Sequence, residues 1–179
     1  MSTRRIRFTR ANALTLLRVL LAPALALAIL EGEAAVSTVI FWVAVATDVT
    51  DGRVARRRGE VSEHGRLIDH SADAVFVSIG AAALACVGAL PHLLAPLIAL
   101  AFVQYAVDSS GADGREPRAS RLGHWNGIAY YVAVATPIIR DTLGFSWPGP
   151  ALVMALGWLL VASTVISILS RLRVLRPAE

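Results

Sequence analysis

Four aspartates recur at intervals that let their carboxylates converge. Asp48 and Asp51 stand at i and i+3, and Asp69 and Asp73 at i and i+4, so on helices each pair projects from one face. Asp48 closes the apolar stretch Val-Ala-Val-Ala-Thr-Asp48, where an unpaired charge costs about 2.5 to 3.5 kcal/mol by insertion scales. Something must offset that cost. Four carboxylates at one surface make a hard oxygen-donor set, suited to Mg2+ or Mn2+ and to two ions rather than one. Two such ions clamp a diphosphate and stabilise the charge that develops during its displacement. Gly52, directly after Asp51, leaves room for a ligand against the backbone. Arg56, one turn further on, offers a planar fork of donors to phosphate oxygens. Solvated carboxylates paired with neighbouring arginines would account for any one of these aspartates. They do not account for the coincidence of helical facing and membrane depth in all four.

The elements that must carry these residues are written in the apolar runs. The chain has 179 residues, 56% hydrophobic and 17% charged, with a mean hydropathy of +0.61, too apolar for a soluble domain of its size. A bilayer core takes about 20 helical residues to cross, and backbone groups in lipid must be satisfied within the segment. Six runs fit: Ala13 to Leu30, Ala34 to Val54, Leu67 to Leu90, His92 to Val107, Asn126 to Ile139 and Pro150 to Leu169. The expected fold is therefore an all-α integral membrane protein of six transmembrane helices, one domain over residues 1–179, with residues 1–12 as an N-terminal cytoplasmic arm. The connections expected between the runs include an arginine-rich segment from Arg53 to Arg66, a break at Pro91, a polar segment from Asp108 to His124 and a turn from Arg140 to Gly149. The first run, with arginines ahead of it, has the outline of a signal peptide, but it is long enough to span and similar runs follow. Cys86, the single cysteine, lies within an apolar run and reads as a packing residue.

All 17 basic residues are arginines, and their distribution sets the topology. With the N-terminus inside, Arg4 to Arg18, Arg53 to Arg66, Arg115 to Arg121 and Arg171 to Arg176 fall on the cytoplasmic side, and only Arg140 falls outside. That asymmetry, in short clusters between apolar runs, is the signature of membrane topology rather than of a nucleic-acid-binding face. The arginine-only usage and abundant alanine point to a bacterial inner membrane, with the aspartates facing the cytoplasm.

From Asp48 to Asp73 the chain reads Asp48-Val-Thr-Asp51-Gly52-Arg-Val-Ala55-Arg56, then, after eight residues, Gly65, Asp69 and Asp73. This resembles the signature of the CDP-alcohol phosphatidyltransferases, with no motif position missing. Asn12-Ala-Leu14-Thr15 with Arg18 and Pro23 resembles that family's looser opening segment, although Ala11 stands where proline is common. The resemblance implies a six-helix bundle, usually a homodimer, with the nucleotide at the cytoplasmic ends of helices two and three. It implies that Asp48, Asp51, Asp69 and Asp73 hold the metal ions and that Asp73 is also the base for the acceptor hydroxyl. Asn12, Gly52, Arg56, Ser62 and Gly65 would contact the CDP moiety. The reaction implied is transfer of the phosphatidyl group of CDP-diacylglycerol, drawn from the membrane lipid, to a small alcohol with release of CMP.

For the acceptor, glycerol 3-phosphate comes first, because Arg115, Arg118 and Arg121 with His124 can form an anion pocket on one short segment; the same arginines also satisfy the positive-inside rule alone. His70 and Ala74 depart from the glycerophosphate branch, where proline and lysine commonly follow the third and fourth aspartates. Asp69-His-Ser-Ala-Asp73-Ala is closer in places to the serine-using branch. Serine, an inositol phosphate, or a catalytically inactive CDP-lipid-binding protein are the alternatives. A small ion transporter would also bury aspartates in membrane helices, but it needs neither Gly52 nor Arg56. Arg57 and Arg58 read as headgroup contacts, His64 and His92 as loop residues, and Trp42, Trp125, Trp147 and Trp158 as an interfacial aromatic belt.

Overall fold

The structure is a computed structural model that describes the backbone of residues 10–58, 63–110 and 121–174, and the side chains of residues 16–50, 67–108 and 121–171. The six runs become six helices: α1 (Arg10–Leu30), α2 (Ala34–Arg58), α3 (Glu63–Cys86), α4 (Leu94–Ser110), α5 (Arg121–Leu143) and α6 (Pro150–Val174). Most helices extend beyond their apolar runs at the end that carries the arginines. The expected Arg53 to Arg66 connection therefore shrinks to four residues, and Gly52, Arg56, His64 and Gly65 lie on helices rather than in a loop. Likewise α5 runs on to Leu143, so the expected turn at Arg140 begins later. Hydropathy marks the apolar part of a helix; it is blind to polar turns that continue the helix beyond it.

Leu67–Cys86 and Pro150–Arg171 are long and apolar enough to cross a membrane, and Leu16–Leu30, Ala34–Thr50 and Leu94–Asp108 are shorter apolar helical stretches. Large apolar side chains cover the outside, among them Leu20, Val39, Val107, Trp125 and Leu159, each more than 60% exposed. That much exposed hydrocarbon suits a lipid solvent. Trp42 and Trp158 sit within α2 and α6 on this outer surface rather than at helix ends. Cys86 is exposed at the end of α3 and packs nothing into the core, which corrects its reading as a packing residue.

The helices close into a ring in the order α1, α2, α5, α6, α4, α3, with α3 also touching α5 across the middle. Small residues let the central helices approach. A Cβ on Gly80 would lie 3.2 Å from both Leu25 of α1 and Val134 of α5, the close backbone contact that membrane helices use in place of a hydrophobic driving force. Around it the buried core gathers Ala22, Leu25, Ala44, Phe76, Ala81 and Val134. Buried polar pairs tie α5 to α6, with Ser163 donating to Asn126 at 2.6 Å and Tyr130 and Thr164 sharing a hydrogen bond of 2.8 Å.

Three of the connections, α1 to α2, α3 to α4 and α5 to α6, lie at one end of the ring and share one device. Gly32, Gly88 and Gly144 have φ of 76°, 76° and 66°, the left-handed conformation that glycine adopts without a Cβ clash. In each, the glycine N–H bonds back to the carbonyl three residues earlier, and the following N–H to the carbonyl five residues earlier: Ile29 and Ala28, Ala85 and Leu84, Asp141 and Arg140. This double bond pattern satisfies the last carbonyls of a helix and stops it. Arg140 is held at this same end by Asp141 at 2.6 Å and by the carbonyl of Pro148 at 3.2 Å.

Candidate functional site

At the opposite end, α2 and α3 flank α1, each packed against it. Asp48 leaves α2, and Asp69 and Asp73 leave α3 one turn apart. One carboxylate oxygen from each lies within 4.8 Å of the others. Their side chains are 39%, 34% and 22% exposed, respectively, so the group opens outward while Asp73 reaches deepest. The i, i+4 spacing on α3 and the placement of Asp48 near the end of the apolar part of α2 thus bring the three to one surface, as the sequence pattern requires.

The cluster is held by two residues that sequence reasoning did not assign to it. Arg18 of α1, fully buried, reaches into the middle of the carboxylates. Its Nη2 donates to Asp69 at 2.5 Å and its Nη1 lies 3.0 Å from Asp48 while also donating to Asp73. Tyr131 of α5 donates its hydroxyl to Asp73 Oδ1 at 2.8 Å. The Tyr131 ring stands on Phe76 at 6.5 Å and meets Phe41 edge-on at 6.1 Å, with Phe41 and Phe76 6.2 Å apart. An aromatic layer from α2, α3 and α5 therefore forms the floor beneath Asp73. A signal for Arg18 existed: an ionisable side chain within the apolar stretch Leu16–Leu30 is itself a functional pointer. For Tyr131 there was none.

The donor set fits a divalent cation. Three carboxylates from two helices that flank α1 offer hard, anionic oxygens at a spacing one ion can draw together. Asp48, Asp69 and Asp73 are the described residues able to hold such an ion. The side chains of Asn12, Asp51, Gly52, Arg56 and Gly65, and the whole of Ser62, Arg115 and Arg118, fall outside the described residues.

A second polar group sits on the same side of the bundle. His70, next to Asp69, meets the ring of Tyr105 on α4 edge-on at 5.6 Å, and Arg171 of α6 lies over that ring at 5.9 Å. Arg171 also stands 4.0 Å from Asp108 and packs so closely on α5 that a Cβ on Gly123 would come within 2.6 Å of its Nη2. Arg121 and His124, at the start of α5, are exposed. An apolar groove of about 470 Å³ between α5 and α6, lined by Leu90, Trp125, Val153 and Gly157 among others, contains none of the aspartates.

The family model described as CDP-alcohol phosphatidyltransferase matches residues 8–169. Two curated relatives, each named "Probable phosphatidylglycerophosphate synthase" and coming from two strains of Mycobacterium tuberculosis, CDC 1551 / Oshkosh and ATCC 25618 / H37Rv, are 35% identical over 94 residues. That match covers 49% of this chain and 45% of each relative. No solved structure matches the chain.

Proposed function

This chain belongs to the CDP-alcohol phosphatidyltransferase family, and we propose that it moves the phosphatidyl group of CDP-diacylglycerol onto glycerol 3-phosphate, releasing CMP. The observation that carries the reading is the meeting of Asp48, Asp69 and Asp73 within 4.8 Å at one end of the bundle, inside a family match that spans nearly the whole chain. Divalent ions held by these three with Asp51 would neutralise the donor diphosphate when bound.

The chain's own residues do the rest. Arg56 and the backbone at Gly52, with Asn12, Ser62 and Gly65, hold the CDP part. Asp73 takes the proton from the acceptor hydroxyl, whose oxygen forms a bond to the phosphorus next to the diacylglycerol. The bond from that phosphorus to the bridging oxygen breaks, and CMP leaves with the electron pair. Tyr131, donating to Oδ1 of Asp73, fixes the carboxylate so that its free lone pairs face the acceptor. The lipid tails stay in the bilayer throughout, because the six helices span it with both termini cytoplasmic and the aspartates at that surface. We propose a homodimer in a bacterial inner membrane.

Glycerol 3-phosphate is supported by the name of the matched relatives and by Arg171, a cation beside Tyr105 and Asp108. The line from Asp69 through His70 and Tyr105 to Arg171 connects the carboxylates to a guanidinium suited to a phosphate. A serine acceptor is the second reading, favoured by His70 and Ala74. Purified protein given CDP-diacylglycerol, Mg2+ and a panel of alcohols should release CMP with glycerol 3-phosphate. Release with serine alone would replace the acceptor, and no release with any alcohol would reject the enzyme. The topology has its own check in intact cells: in a Cys86→Ser background, cysteines placed at Ser2 and Ala178 should react with an impermeant thiol reagent only after the membrane is permeabilised.

A further inference from the structure

We infer that Arg18 is a positioning residue that stands in the place of a cation among Asp48, Asp69 and Asp73, and that a divalent metal binds there only by displacing its guanidinium. The inference rests on the proposed metal role of these aspartates. The Oδ1 atoms of all three face Arg18, which meets Asp69 at 2.5 Å and Asp48 at 3.0 Å and donates to Asp73. A hard divalent ion draws carboxylate oxygens to about 2.0–2.6 Å. A guanidinium among the same oxygens would leave two cations in contact, with the donor lone pairs divided between them. The two occupants therefore exclude one another.

Burial sharpens the exchange. Arg18 is 0% exposed and lies two turns into α1, and a charge at that depth persists where its partners neutralise it. In the metal-free protein the guanidinium holds three like charges together, so the carboxylates keep their arrangement without an ion. When an ion enters, the long arginine stem allows the head to withdraw toward the arginine-rich end of the bundle without unfolding α1. Arg18 thus sets metal affinity downward while keeping the site formed. A purely structural arginine would do the reverse, because its loss would scatter the carboxylates and weaken metal binding.

The test is Mn2+ binding to detergent-purified protein, read as the free-ion signal by electron paramagnetic resonance and independently of turnover. Arg18→Met should lower the Kd for Mn2+ at least tenfold, and Arg18→Lys, which keeps the charge but cannot bridge three carboxylates with one fork, should fall between. The thermal midpoint of Arg18→Met without metal should drop below that of the unsubstituted protein, and Mn2+ should raise it by more than it raises the latter. An unchanged or raised Kd in both variants would overturn the displacement while leaving the metal site standing. Absence of Mn2+ binding in the unsubstituted protein and both variants would instead reject the metal site. Should Arg18→Met require Mn2+ during purification to stay folded, Arg18→Lys alone decides, since a Kd equal to or above that of the unsubstituted protein refutes the exchange.

Discussion

The two ends of the bundle are built by opposite means. At one end, three helices stop at Gly32, Gly88 and Gly144, and the backbone hydrogen bonds in those stops join residues no more than six apart. Its one arginine, Arg140, is satisfied by its neighbour Asp141. At the other end, Arg18 meets Asp69 and Asp73 at separations of 51 and 55 residues, and Tyr131 meets Asp73 at 58. The helix stops of the first end are specified locally, although Thr38 of α2 also bonds Thr142 of α5 there at 2.8 Å. The second exists only when α1, α2, α3 and α5 are all in place.

The comparison breaks most visibly at Asp73. Asp73→Asn keeps the shape and the Tyr131 contact but cannot take the acceptor proton, and turnover should fall about 10²- to 10⁴-fold while donor lipid still binds. A near-normal rate in a CMP-release assay would move the base elsewhere. At the far end the larger effect is on stability. Gly157→Ala places a methyl 2.5 Å from Cδ of Pro91, and overpacking of this kind costs about 1–3 kcal/mol. Its thermal midpoint should drop while the rate per folded molecule holds; a lost rate at full stability would mean that the ends are coupled. Tyr131→Phe is the mildest. It removes one hydrogen bond to a carboxylate and leaves Arg18 in place, so kcat should fall about tenfold, the equivalent of ~1.4 kcal/mol, with KM for the donor unchanged.

The same division explains what the sequence discloses. Local features were legible: six apolar runs gave six helices, and the spacing of Asp69 and Asp73 on one face of α3 needed only helical geometry. The ends of helices were less so, since α3 starts at Glu63 and α5 at Arg121, in polar sequence that hydropathy assigns to loops. Arg18 reads as part of the opening segment and counts toward sidedness but is given no role at the aspartates, because nothing local to Leu17-Arg18-Val19 names three acids in two other helices. Tyr131 was silent for the same reason: its position follows from α5 closing the ring between α2 and α6.

The aromatic layer under Asp73 has a consequence for the cell as a whole. A protein that carries acids and a guanidinium below the surface of an energised membrane risks becoming a wire for protons, and each elementary charge that leaks across 100 mV dissipates about 2.3 kcal/mol. Phe41 and Phe76 are 3% and 0% exposed, and Leu25 and Val134, both at 0%, lie in the same core. Together they form a dry apolar layer inward of the carboxylates. In the proposed membrane setting, that layer would let the bundle house an ionic reaction at one surface and remain an electrical insulator.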